Sequence, residues 1–381
     1  MKKNIAIILP YKEIFSHNHA GAASIWVKDY NNLSKLTSYT IIYGNLEKKF
    51  KPISKNFKNI ILKNNIFSKN KEYIDFFYKE YQKYFFDVIE IHNRPEYLNY
   101  LINKNIDAKL IFFFHNNPKQ IRGSKTIEER LKILNKTEKI FFVSKWTMNK
   151  FFEDLPLKSK SNCEILYPAI KKPNFLKKNK KNQIVFTGKL NSSKGFDLFG
   201  AAVIKILNKY NDWKAVVAGN EPREKYNFKH KNLKIFSWLP HNKILKLYSE
   251  SSISVVPSRW EEPFGRTSME SAANGCATIT SSKGGLPETF DNDLILKKLN
   301  SDEIFKCLKK LIKNKRLLKK IQQKNYNNLK HPIEDLVIYL DAVKKNLLQK
   351  KINIISGKGP KILHISNFNE KNNQRLFNIS I

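Results

Sequence analysis

Two glutamates, Glu262 and Glu270, are separated by seven residues in the stretch Pro257-Ser258-Arg259-Trp260-Glu261-Glu262-Pro263-Phe264-Gly265-Arg266-Thr267-Ser268-Met269-Glu270, which runs on to Gly275. It follows an apolar run, passes through a Pro/Gly loop and enters a short helix that Gly275 would end. A loop feeding a helix start presents unpaired backbone N–H groups and the positive end of the helix dipole. That is a place for a diphosphate. A second local reading competes: Thr267-x-x-Glu270 fits a capping box, with Glu262 a solvated loop carboxylate. The local pattern does not choose between them.

Two cations form a second candidate group. Thr187-Gly188-Lys189-Leu190 is followed by Lys194-Gly195, again after an apolar run. Two lysines in so basic a chain mean nothing alone, but flanking glycines at a strand end point to phosphate. His92 lies in Glu90-Ile91-His92-Asn93-Arg94-Pro95-Glu96 and His115 in Phe114-His115-Asn116-Asn117-Pro118, both at the ends of apolar runs. A lone histidine is more often structural; here both fall at apparent strand ends, where a ligand cleft would have its rim. In Ala20-Gly21-Ala22-Ala23-Ser24 the small side chains would let a backbone approach a ligand, or simply pack a helix. Gly284-Gly285-Leu286-Pro287-Glu288 reads locally as a tight turn.

These residues need a scaffold that collects strand ends. Short apolar runs recur at Ile5 to Leu9, Tyr39 to Tyr43, Val88 to Ile91, Leu110 to Phe114 and Ile140 to Val143, with helical spacing between them, as in Ile25 to Leu33 and Ile127 to Leu134. Strands buried on both faces and alternating with helices predict a parallel sheet. The pattern restarts after the lysine-rich linker around Pro173 to Lys181, with runs at Ile184 to Thr187, Lys214 to Ala218, Leu233 to Phe236, Ile253 to Val256 and Ala277 to Thr280. The expected division is an α/β domain over 1–172, a second over 173–332, a helix over 333–349, and a tail over 350–381 that either ends the chain or opens a further module. Two doubly wound domains facing each other leave a ligand cleft at the carboxyl ends of both sets of strands.

On these motifs the chain resembles the family 4 retaining glycosyltransferases of GT-B fold, up to about Gln349. The resemblance rests on Glu262-Pro263-Phe264-Gly265 with Glu270, and on Gly188-Lys189-Leu190 with Lys194-Gly195. It implies that Glu262 holds hydroxyls of a donor sugar and that Glu270 binds the ribose. The N–H groups around Phe264, Gly265 and Arg266 would face sugar and diphosphate, and Lys189 and Lys194 would neutralise the diphosphate. His115 would bond the donor sugar, Gly21 and Gly188 would lie beside the donor, Gly284 to Glu288 would flank it, and His92, Arg94 and Glu96 would shape the acceptor side. Phe236 to Pro240 would wrap the base. Lys189 departs from the family's usual Arg, replacing a bidentate fork by a point charge. The implied reaction is hexose transfer from a nucleotide-diphosphate sugar to a saccharide or lipid-linked acceptor, with retention and in cell-envelope or lipopolysaccharide synthesis. No cofactor and no metal are expected.

Composition bounds the alternatives. The chain has 381 residues and a formal net charge of +37, with lysine and asparagine interleaved nearly everywhere. Such charge suits nucleic acid or an anionic membrane surface; clustered cations with interleaved aromatics, as a nucleic-acid reader needs, are not evident. The three cysteines, an odd number with no C-x-x-C pair, fit a reducing compartment and neither a disulfide framework nor a structural zinc. No apolar run reaches the ~18 residues of a membrane helix, so the expected location is cytoplasmic, with membrane contact only peripheral. A GT-B binding protein without catalysis and a nucleotide-sugar epimerising hydrolase remain the competing readings within the same architecture.

Overall fold

The structure is a computed structural model that describes residues 4–355 apart from 17, 18, 48, 63–67 and 329. Two parallel sheets account for it. The first takes β1 (Ile5–Ile8), β2 (Thr40–Gly44), β3 (Phe57–Asn59), β4 (Val88–His92), β5 (Lys109–Phe114), β6 (Lys139–Phe142) and β7 (Cys163–Ile165) in the order β3-β2-β1-β4-β5-β6-β7. The second takes β8 (Lys181–Thr187), β9 (Lys214–Ala218), β10 (Leu233–Phe236), β11 (Ser251–Val256) and β12 (Ala277–Thr280) in the order β10-β9-β8-β11-β12. Every pairing is parallel.

In each sheet the chain order reverses beside the opening strand, at β1/β4 and at β8/β11. Ligands of such sheets bind outside the strand carboxyl ends at that switch point. His92 ends β4, Thr187-Gly188 ends β8, and the loop carrying Glu262 follows β11. The short, largely apolar runs become strands buried on both faces: all of β1, β4, β11 and β12 is buried. The two short edge strands, β3 and β7, carry Lys58 and Glu164 among three residues each and offer no such run.

The linker is less solvated than its composition suggests. Lys180 reaches three backbone carbonyls, those of Tyr248, Ser249 and Ser251, at 2.9–3.0 Å. The terminal helix runs Ile333–Ile355, past the expected end at 349, and the remainder of the tail, with its suggested further module, lies outside the described residues. This helix returns to the first domain, where Ile333, Leu336, Val337 and Leu340 pack against Ile5, Trp26, Val27 and Tyr30.

Below that apolar seam the helix inserts a charge. Lys344 is 3% exposed and lies 2.6 Å from a carboxylate oxygen of Glu90, which is fully buried in β4. Burial pushes the Glu90 carboxyl up, but Lys344 and the hydrogen bond from His92 outweigh it and hold the group at about 2. Because removing one partner strands a buried charge, Lys344→Met should cost about 3–5 kcal/mol in denaturant unfolding. The sign in pH follows from a carboxyl lowered in the folded state. Its stabilisation is complete above its ordinary 4.5 and is lost as pH falls toward about 2, so acid unfolding in that window should be blunted in Lys344→Met.

Candidate functional site

Two adjoining cavities of about 300 Å³ each open between the sheets, and both are bordered by Ala22, Thr187, Gly188, Arg266 and Thr267. The first is also lined by His115, Lys194, Glu262, Phe264 and Gly265. The second is also lined by Gly21, Lys189, Trp238, His241 and Glu270. The two glutamates therefore serve neighbouring compartments of one cleft, and so do the two lysines.

Lys194 is held by backbone geometry and by three neighbours. Its loop turns at Gly195, where φ is +70° and an added Cβ would stand 2.0 Å from the carbonyl oxygen of Pro257. Asn191 Oδ1 accepts from the Lys194 N–H at 3.0 Å. The ammonium then lies 2.5 Å from Glu262 Oε1 and 4.2 Å from the centre of the Trp260 ring. An ion pair and an aromatic face fix the cation at the cavity wall while leaving it part-exposed.

Glu262 is clamped from behind by the glycine turn. Gly285 donates its N–H to the Glu262 carbonyl at 2.7 Å, and a Cβ at Gly284, whose φ is +61°, would come within 2.2 Å of that same oxygen. The turn has a second task. The Glu288 carboxylate accepts from the N–H groups of Lys145 and Trp146 at 2.7 and 2.9 Å, at the start of the first-domain helix Lys145–Phe152, and from the Tyr167 hydroxyl at 3.1 Å. Ser144 and Thr147 donate to the Pro263 carbonyl from the same side. The loop beside the cleft thus also pins the domains together.

The helix after Gly265 spans Arg266–Ala273 and has no side-chain cap. The capping box suggested by Thr267 and Glu270 does not form. Glu270 is 3% exposed and accepts from Arg266 Nε at 2.5 Å and from His241 Nε2 at 2.8 Å. Burial raises its carboxyl, yet Arg266 and His241 hold it below the ordinary value. Arg266 also reaches Asp29 of the first domain at 2.8 Å, and although burial opposes its charge the two carboxylates raise its pKa. Asp29 and His241 were not singled out from sequence, because neither stands in a motif and their partners are distant in the chain.

The acceptor-side group looks different in place. His92 is fully buried, with Nε2 on Glu90 at 2.6 Å and Nδ1 on His115 at 2.8 Å, so it cannot touch an acceptor. Glu96 sits in the first turn of the helix Pro95–Asn103 and is occupied by Asn70 at 2.7 Å and Arg122 at 3.1 Å. Arg94 turns back onto the Asn93 carbonyl at 2.8 Å. None of the three lines either cavity. Strand alternation explains His92: it shares a face with buried Glu90 two residues earlier in β4.

Gly195→Ala should destabilise the protein by about 1–3 kcal/mol in thermal unfolding, since it combines a left-handed backbone with a backbone collision. Its displaced Lys194 should also weaken binding of any anion in the first cavity, measurable by calorimetric titration.

Residues 169–328 match the family described as glycosyl transferases group 1. The putative glycosyltransferase YtcC of Bacillus subtilis is 22% identical over 295 residues, 68% of this chain and 71% of that protein. Among solved structures, HepE of Anabaena in complex with UDP and glucose superposes with a TM-score of 0.71 at 11% identity, covering 90% of this chain and 99% of that one. WaaG, a glycosyltransferase involved in lipopolysaccharide biosynthesis, superposes with a TM-score of 0.65 at 14% identity, covering 89% and 99%. The second domain belongs to the group 1 glycosyltransferase family, and the chain as a whole has the GT-B fold.

Proposed function

We propose that the chain transfers a hexose from a nucleotide-diphosphate sugar to a saccharide or lipid-linked acceptor, with retention of anomeric configuration. The observation that carries the reading is the convergence on one cleft of an ammonium, two sugar-competent carboxylates and a helix start. Arg266 and Thr267, at the helix start, border both cavities and Lys194 lines the first, so that a diphosphate would lie at the helix start with its sugar toward Glu262 and His115. The ribose would lie toward Glu270, and the base toward Trp238 and Leu239. HepE, bound to UDP and glucose, supports a uridine donor of this type.

In this reading the chemistry is electrostatic. Lys194, Lys189 and the helix start stabilise the charge that grows on the diphosphate as the bond to the sugar breaks, and the leaving diphosphate helps take the acceptor hydroxyl's proton. Glu262, engaged with Lys194 and sugar hydroxyls, is not the attacking group. No metal is needed, because protein cations do its work. WaaG supports a place in cell-envelope or lipopolysaccharide synthesis. No described helix is long and apolar enough to cross a membrane, and a net charge of +37 would favour a peripheral position on an anionic, cytoplasmic membrane face.

Titration with a panel of nucleotide sugars should raise the melting temperature with at least one of them. With that donor, Glu262→Ala and Lys194→Ala should each lower turnover by about 100-fold or more while the fold is kept. Unimpaired transfer by both variants would overturn the assignment. Turnover should survive EDTA, and the product's anomeric configuration, read by NMR, should match the donor's.

A further inference from the structure

Behind the cleft wall, five side chains from the terminal helix, the helix Ala22–Asn31, β4 and the residue after β5 form a continuous buried line. Lys344 of the terminal helix and the Tyr30 hydroxyl both bond the Glu90 carboxylate; Glu90 bonds His92 Nε2 at 2.6 Å; and His92 Nδ1 meets His115 Nε2 at 2.8 Å. Only His115, at the end of the line, borders the cavity. The line is held in register by its surroundings. The His92 ring stacks on Phe113 at 4.7 Å, Trp26 stands edge-on to His115 at 5.7 Å, and Asn93 Oδ1 accepts from the His115 backbone N–H at 3.2 Å.

Proton accounting along this line has one neutral solution. Ionised Glu90 can only accept, so His92 carries its hydrogen on Nε2 and is left with a lone pair on Nδ1. His115 must then donate from Nε2, which leaves its Nδ1 as a lone pair. We propose that Glu90 and His92 are positioning residues that fix the tautomer of His115, so that its Nδ1 is presented to the cleft as a hydrogen-bond acceptor for a hydroxyl of the transferred sugar. This rests on the glycosyltransferase reading of the cleft. An acceptor backed by a buried carboxylate also places electron density beside a sugar that gains positive character as its bond to diphosphate lengthens.

The charged neighbours support the same state. Glu90, Lys344 and Tyr30 face the line from behind, Arg94 lies beyond the end of β4, and Glu13 approaches from the loop after β1. Burial, with His92 adding to it, holds His115 well below the ordinary histidine value, so the ring facing the sugar stays neutral.

The direct test is ¹⁵N NMR of histidine-labelled protein without ligand, with His115 assigned through His115→Gln. At neutral pH the expected spectrum has His115 Nε2 protonated and Nδ1 bare; a protonated Nδ1 would overturn the proposal whether or not the protein proves to be a transferase. Kinetics add a second readout. His92→Gln can still donate to Glu90 and accept from His115, whereas His92→Phe keeps the ring volume and loses both bonds. With the donor KM little changed in both, kcat should fall roughly ten- to hundredfold in the Phe variant and be largely retained in the Gln variant. A space-filling role for His92 predicts the reverse ranking, and that result would overturn the proposal.

Discussion

One guanidinium is shared between the two halves of the molecule. Arg266 opens the helix that points into the cleft, bonds Glu270 one turn later and reaches Asp29 across the domain boundary. Burying the Glu270 carboxylate is costly, and Arg266 together with a further donor from His241 offsets that cost. The constraint reaches outward from there. It holds Glu270 below its ordinary pKa at the border of the second cavity and ties the start of this helix to the first domain beside both cavities.

The remaining site residues are held by backbone rather than by charge. Gly195 and Gly284 allow two loops to touch carbonyl oxygens that any side chain would push away, and those contacts aim Lys194 and Glu262 at each other. The Glu262 loop is also fastened to the first domain through Pro263, while the adjoining turn is fastened through Glu288. The geometry around Lys194 and Glu262 and the docking of the domains are thus one structure, and a ligand that replaces the Lys194–Glu262 contact would be felt at the domain boundary.

Much of this was legible in the residues. The run Ile5 to Leu9 is apolar throughout and Ile253 to Val256 is interrupted only by the small Ser254, because both faces of a parallel strand are buried, and they mark β1 and β11 to within a residue or two at each end. Lys194, Glu262 and Glu270 stand in motifs with glycine or proline punctuation and could be found on that ground. Lys344 could not, since it is one lysine among many until its helix docks beside Glu90. His92 was misread as an acceptor residue because a strand end looks exposed in sequence, whereas the alternation with Glu90 buries it. Phe57–Asn59 and Cys163–Ile165 gave no strand signal because three residues with a charge or polar group in their midst have no periodicity to read.

The proposed reaction requires an anion to bind where Lys194 and the start of the Arg266 helix line the same cavity. Calorimetric titration of the unmodified chain with nucleosides and with the corresponding nucleoside diphosphates isolates that contribution. For whichever base binds, the diphosphate should bind at least about tenfold more tightly than the nucleoside, and the difference should shrink as salt is raised. Equal affinity for the two would contradict the account.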